Sequence, residues 1–227
     1  MDLSPIGRAA LVAREGERLT AYKDSVDVWT IGVGVTTASG LIKVTPGLKI
    51  TKAQSDALFA QAVAKYVDPV RKALRSDRAW PQEFFDACVS LAYNIGPVGF
   101  AQSSVVRRAN AGDMAGAIEA FLMWNKPAVI IPRRQGERDQ AATPYSQALP
   151  RARRGDPHPV WASSAAVPVA KPLPDPLAPI TKVPPAPAPQ PAPSGGLLRS
   201  GVQATGGAVR SGLAGLYDLI HSAFRKG

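Results

Sequence analysis

Two carboxylic acids nine residues apart, Glu15 and Asp24, are followed six residues later by a threonine, Thr30. Acid–base cleavage of an acetal needs one carboxyl that hands a proton to the leaving oxygen and a second, ionised one that works on water. The local sequence puts the two acids in different surroundings. Glu15 ends a helical stretch opened by Ser4-Pro5, with Ser as N-cap and Pro in the first turn, and closed by Gly16. Carbonyls at a helix end carry partial negative charge and work against a carboxylate there. Asp24 falls in a polar turn between Lys23 and Ser25, which favours its charged form. The competing reading, that both are solvated surface acids, stays open on these residues alone.

The elements that must position this trio follow from periodicity. Residues 21–44 alternate with period two, with Trp29, Ile31, Val33 and Val35 on one strand face and Val28, Thr30, Gly32 and Gly34 on the other. Two glycines leave the Thr30 face bare, so a ligand could approach the backbone and the hydroxyl could hold a water near Asp24; bulges are the alternative explanation. Thr51-Lys52-Ala53-Gln54 is a capping box that opens a longer helix, which Pro69 ends or kinks. Further helices are expected at about 81–95, 103–110, 113–124 and 132–142. A small sheet lobe followed by a larger helical lobe is an α+β arrangement.

The trio is embedded in EGERLTAYKD and WTIGVG, and with that context it resembles the phage-type lysozymes, glycoside hydrolase family 24. The resemblance continues through Phe85-Asp86-Ala87, Ser90-Leu91-Ala92-Tyr93-Asn94-Ile95-Gly96, Asn110-Ala111-Gly112-Asp113, Trp124-Asn125 and Arg133-Arg134-Gln135-Gly136-Glu137-Arg138, covering residues 4–145. It implies a lysozyme-like fold with an antiparallel sheet lobe. It also implies hydrolysis of the β-1,4 bond between N-acetylmuramic acid and N-acetylglucosamine, with inversion. Carried over, Glu15 is the general acid, Asp24 activates or orients the attacking water, and Thr30 positions it. Thr36, Tyr93 and Ser103 align with sugar-contacting positions. Arg133 or Arg134 would pair with Glu15, opposing the helix-end field. One departure is Val35, which stands where the family commonly has a histidine. The residues by themselves leave hydrolysis and lytic transglycosylation open.

Composition narrows the remaining classes. The single cysteine, Cys88, lies in an apolar helical run and reads as a small core residue. With two histidines and one cysteine, a structural zinc site is not expected, and neither metal nor cofactor is called for. No apolar run is long enough to span a membrane, and no secretory signal follows Met1. The net charge of +10 is unevenly held. Residues 1–150 carry 18 Lys+Arg against 14 Asp+Glu, while residues 151–227 carry 9 against 3. The near balance of the first part argues against a nucleic-acid-binding protein. Scattered tryptophans form no stacking platform.

Three segments emerge: a catalytic domain at 1–148, a Pro/Ala-rich spacer at 149–196, and a basic amphipathic helix at 197–227. Thirteen of the 22 prolines fall within 151–195, a composition that favours an extended spacer. In the last segment Leu198, Val202, Val209, Leu213, Leu216, Ile220 and Phe224 share a face beside Arg199, Arg210, Arg225 and Lys226, as a membrane-surface helix would, although five glycines weaken it. The expected protein is a monomeric endolysin made in the host cytoplasm and acting on the wall once the membrane is breached. The alternatives are a virion-borne wall-cutting enzyme and an inactive wall-binding module with a membrane-active tail.

Overall fold

The computed structural model describes residues 1–24 and 27–160. The expected C-terminal helix, and the spacer beyond residue 160, lie outside the described residues. The chain begins with α1, Pro5–Glu15, and then forms three strands: β1 (Arg18–Lys23), β2 (Trp29–Gly32) and β3 (Val35–Thr36). Helices follow: α2 (Lys52–Ala73), α3 (Gln82–Ile95), α4 (Pro97–Ala101), α5 (Ser104–Ala111), α6 (Met114–Glu119) and α7 (Ile131–Ala142).

The sheet is antiparallel in the order β1-β2-β3. Tyr22 faces Thr30, and Thr30 in turn faces Thr36, while Ile31 pairs with Val35. The expected continuous alternation through residue 35 is therefore corrected. β2 stops at Gly32, and the chain reverses through Val33-Gly34 into β3. Gly32 and Gly34 have φ of 61° and 75°, a region costly for residues with a Cβ. They are turn glycines, not a bare strand face.

Two apolar clusters stabilise the lobes. Ile31, Val35, Val44, Ile50 and Leu58 form the smaller one under the sheet. The larger one gathers Leu11, Phe59, Phe84, Phe85, Leu91, Phe100 and Phe121 among others, each worth about 1.5–3 kcal/mol of burial. α2 supplies both, with Leu58 to the first and Phe59, Val63 and Val67 to the second, so it is the spine joining the lobes. Its capping box forms as expected, with Gln54 N–H donating to Thr51 Oγ1 and Thr51 N–H to Gln54 Oε1. Pro69 does not end it, because the helix runs on to Ala73. The single helix expected at 113–124 divides into α6 and a 3-10 turn at Ala120–Met123. The short α4 has no periodic signal of its own.

The largest departure concerns residues 149–160. Composition places a boundary at 148, yet residues 149–160 pack back onto the body. Ala152 and Val160 are buried against Ala10 of α1. Arg14 donates from Nε to Ala152 O over 3.0 Å, and Val160 N–H reaches Pro150 O at 2.8 Å. Proline-rich composition suggests a spacer from 149 onward, but the anchoring polar contacts come from distant residues that no local window reveals.

Candidate active site

Glu15 owes its place to the two ends of α1. At the start, Ser4 Oγ accepts from Gly7 N–H at 3.0 Å, and Asp86 of α3 binds Ser4 through both its N–H and its hydroxyl. A Cβ at position 7 would collide with the Asp86 carboxyl, so Gly7 permits α1 to lie directly on α3. At the other end Gly16, with φ of 79°, stops the helix while its N–H still reaches Val12 O. Glu15 is thereby the last helical residue, with a side chain 10% exposed.

Arg133 of α7 meets it. Its Nη2 forms an ion pair with Glu15 Oε1 at 2.7 Å. Of the two arginines expected here, Arg133 is the partner. Arg134 turns instead to Glu137, to Asn94 and to the carbonyl of Trp124. Glu137 is fully buried and also takes Arg133 Nε at 3.0 Å and the Ser90 hydroxyl at 2.6 Å. Burial alone would raise its carboxyl, but Arg134, Arg133, Arg14 and the Ser90 hydroxyl overcome that and hold it at about 2. Burial works against the Arg133 charge, and the two carboxylates Glu15 and Glu137 more than restore it. Arg133 thus divides one positive charge between two acids, and it can orient Glu15 without presenting a full unshared cation to it.

Asp24 follows β1 and accepts Val28 N–H at Oδ1 over 2.9 Å. Lys23, expected to flank it, pairs with Asp27 at 2.7 Å. Thr30 is buried on β2, and its Oγ1 lies 3.5 Å from Asp24 Oδ2 and 3.2 Å from Val28 O. A hydroxyl has one proton for these two acceptors, which leaves its lone pairs for a donor such as water. Tyr22 lies opposite Thr30. Burial raises its phenol, Arg18 stacked at 4.5 Å opposes, and Asp24 and Glu15 both push it further up.

Of the three expected sugar contacts, Thr36 sits half-buried on β3 beside Thr30. Tyr93 donates its hydroxyl to Val33 O at 3.1 Å and tilts against Tyr66 with centroids 4.7 Å apart. Its phenol is raised by burial and then by Glu15, which places it in the same neighbourhood. Ser103 is 4% exposed and caps α5 by accepting Val106 N–H at 3.3 Å. That capping bond accounts for the residue without a ligand. Val35, the departure from the family pattern, is 2% exposed in the small core with Ile31 and Val44, so an apolar contact fills its place. Sequence reasoning missed Ser90, Asn94, Arg14 and Glu137 as supports. The one legible signal was the helical spacing of Arg133 and Arg134 to Glu137. Cys88 is free and buried, as expected. Among the described residues no cluster could hold a metal, and no helix is long and apolar enough to cross a membrane.

Comparison with known proteins agrees with this geometry. The phage lysozyme family model matches residues 12–137. The endolysin of Salmonella phage P22 is 37% identical over 142 residues, spanning 61% of this chain and 96% of the relative. A SAR-endolysin of Escherichia phage 933W is 38% identical over 113 residues, covering 50% of this chain and 63% of its own length. Among solved structures, a point mutant of P22 lysozyme superposes with a TM-score of 0.58 at 35% identity, covering 63% of this chain and 99% of that one. The muramidase domain of SpmX from Asticaccaulis excentricus gives a TM-score of 0.55 at 30% identity, covering 63% and 98%. With a two-lobed fold, Glu15 at the end of α1 against Arg133 and a match running through both lobes, the chain belongs to the phage lysozyme family and is a lysozyme-type glycosidase.

Proposed function

We propose that the protein is an endolysin that hydrolyses the muramic acid–glucosamine bond of peptidoglycan, with Glu15 as general acid. The observation that carries the assignment is the position of Glu15, held at the end of α1 against buried Arg133. Glu15 gives its proton to the glycosidic oxygen as the bond to the anomeric carbon breaks. Water attacks that carbon from the other face, and Asp24 takes one of the water's protons while the Thr30 hydroxyl oxygen accepts its other hydrogen. Inversion results, as in glycosidases that hold a water between their carboxyls. Thr36 and Tyr93 would line the glycan path.

The test is digestion of purified peptidoglycan by the wild type and by Glu15→Gln, with mass analysis of the fragments. Reducing muramic ends that vanish in the variant are the expected result. Anhydro ends would make the enzyme a transglycosylase, and cleavage by Glu15→Gln would remove Glu15 from the acid role. The site of action is the host wall, reached from the cytoplasm after the membrane is opened. The segment 197–227 would bring the enzyme to an anionic membrane surface through its apolar face and its arginines. Failure of that segment to sediment with anionic vesicles at low salt would remove the membrane role.

A further inference from the structure

The strap formed by residues 149–160 lies beyond the family match, which ends at residue 137. Three consecutive residues of it bind the two helices whose ends meet in the Glu15–Arg133 pair. Ala152 O accepts Arg14 Nε at 3.0 Å. Arg153 Nη2 donates to Arg14 O at 2.6 Å, one of the carbonyls that a helix C-terminus leaves without an intrahelical partner. Arg154 N–H donates to Pro132 O at 2.8 Å, next to Arg133 on the first turn of α7. Asp156 fastens the strap itself by accepting Arg153 N–H at 2.8 Å. Gly136 makes room, since a Cβ there would stand 2.8 Å from Ala152 O.

We propose that residues 152–154 are a splint that sets the distance between Glu15 and Arg133, and that Arg153 is a positioning residue for the glycosidase reaction. Arg153 touches neither acid's carboxyl. It acts on the Arg14 carbonyl, which belongs to the peptide unit that carries Glu15. A small shift of that unit displaces the proton donor from the leaving oxygen, and such misplacement costs rate far more than binding. The proposal rests on the reading of Glu15 as the acid.

The experiment measures kcat and KM on soluble peptidoglycan fragments, together with thermal unfolding, for the full chain carrying Arg153→Ala, Arg153→Lys, Gly136→Ala or Glu15→Gln. Arg153→Ala should lower kcat about tenfold at unchanged KM, a modest part of what a misplaced group can cost. Arg153→Lys keeps a donor for the carbonyl and should recover most of the loss. Gly136→Ala favours the helix by itself and should still lower kcat, because it pushes on Ala152. Unchanged kcat in Arg153→Ala overturns the splint, as does a loss that Arg153→Lys fails to recover. If Arg153→Ala does not fold, Gly136→Ala decides by the same split between kcat and KM. Full activity in Glu15→Gln would instead overturn the acid assignment, which keeps the two failures apart.

Discussion

At the scale of single residues, the site is governed by how buried charge is shared. Glu137 is fully buried and offsets the charges of Arg133, Arg134 and Arg14. Glu137→Gln would leave those cations undercompensated, and we expect a loss of about 3–5 kcal/mol in urea unfolding. The same carboxyl predicts a pH dependence. Its folded value of about 2 lies below the ordinary 4.5, so its contribution is full above about 4.5 and is lost as the pH falls toward 2. Stability of the wild type should decline through that window, and Glu137→Gln should flatten the decline. Asp24→Asn should lower kcat by about 10²-fold or more, the usual worth of a positioned base, with little change in thermal midpoint, since Asn keeps an oxygen for Val28 N–H. Of this scale the sequence singled out Glu15, Asp24 and Thr30 as candidates, through the family resemblance that their one stretch carries. It could not show Ser90 or Arg14, whose partners lie 47 and 138 residues away.

At the scale of elements, helix ends were legible and strand ends were not. Ser4-Pro5, Gly16 and Thr51–Gln54 name their caps by residue type, and all three form. Thr51→Ala should cost about 1 kcal/mol by thermal unfolding and leave kcat unchanged. The hairpin escapes a periodicity reading because period-two alternation continues through Val33-Gly34 although the chain has already reversed. Only φ distinguishes a turn glycine from a strand glycine. Gly34→Ala should therefore destabilise the hairpin by about 1–3 kcal/mol. Because Val33 O is the acceptor for Tyr93, that substitution should also lower activity. A variant that unfolds like the wild type would mean that the turn tolerates a Cβ.

At the scale of the whole molecule, composition set a boundary at 148 and overlooked the last anchored stretch. Residues 149–160 contain prolines and arginines of the kind found in spacers, yet they cover Ala10 and claim the guanidinium of Arg14. Shortening the chain after Val160 should leave fragment cleavage intact. Shortening it after Ala148 should uncover Ala10 and lower the thermal midpoint, since it removes both Ala152 and Val160 from that contact. Equal midpoints for the two would mean that the strap adds nothing to the body.

The hydrogen bond from Val160 N–H to Pro150 O brings the two ends of the strap together. This has a mechanical consequence. Tension arriving from residue 161 onward is taken up first by that latch and by the seat of Val160 against Ala10, and only after they yield does it reach Arg153 and the end of α1. Cargo tethered behind Val160 would load the latch before it loads the end of α1.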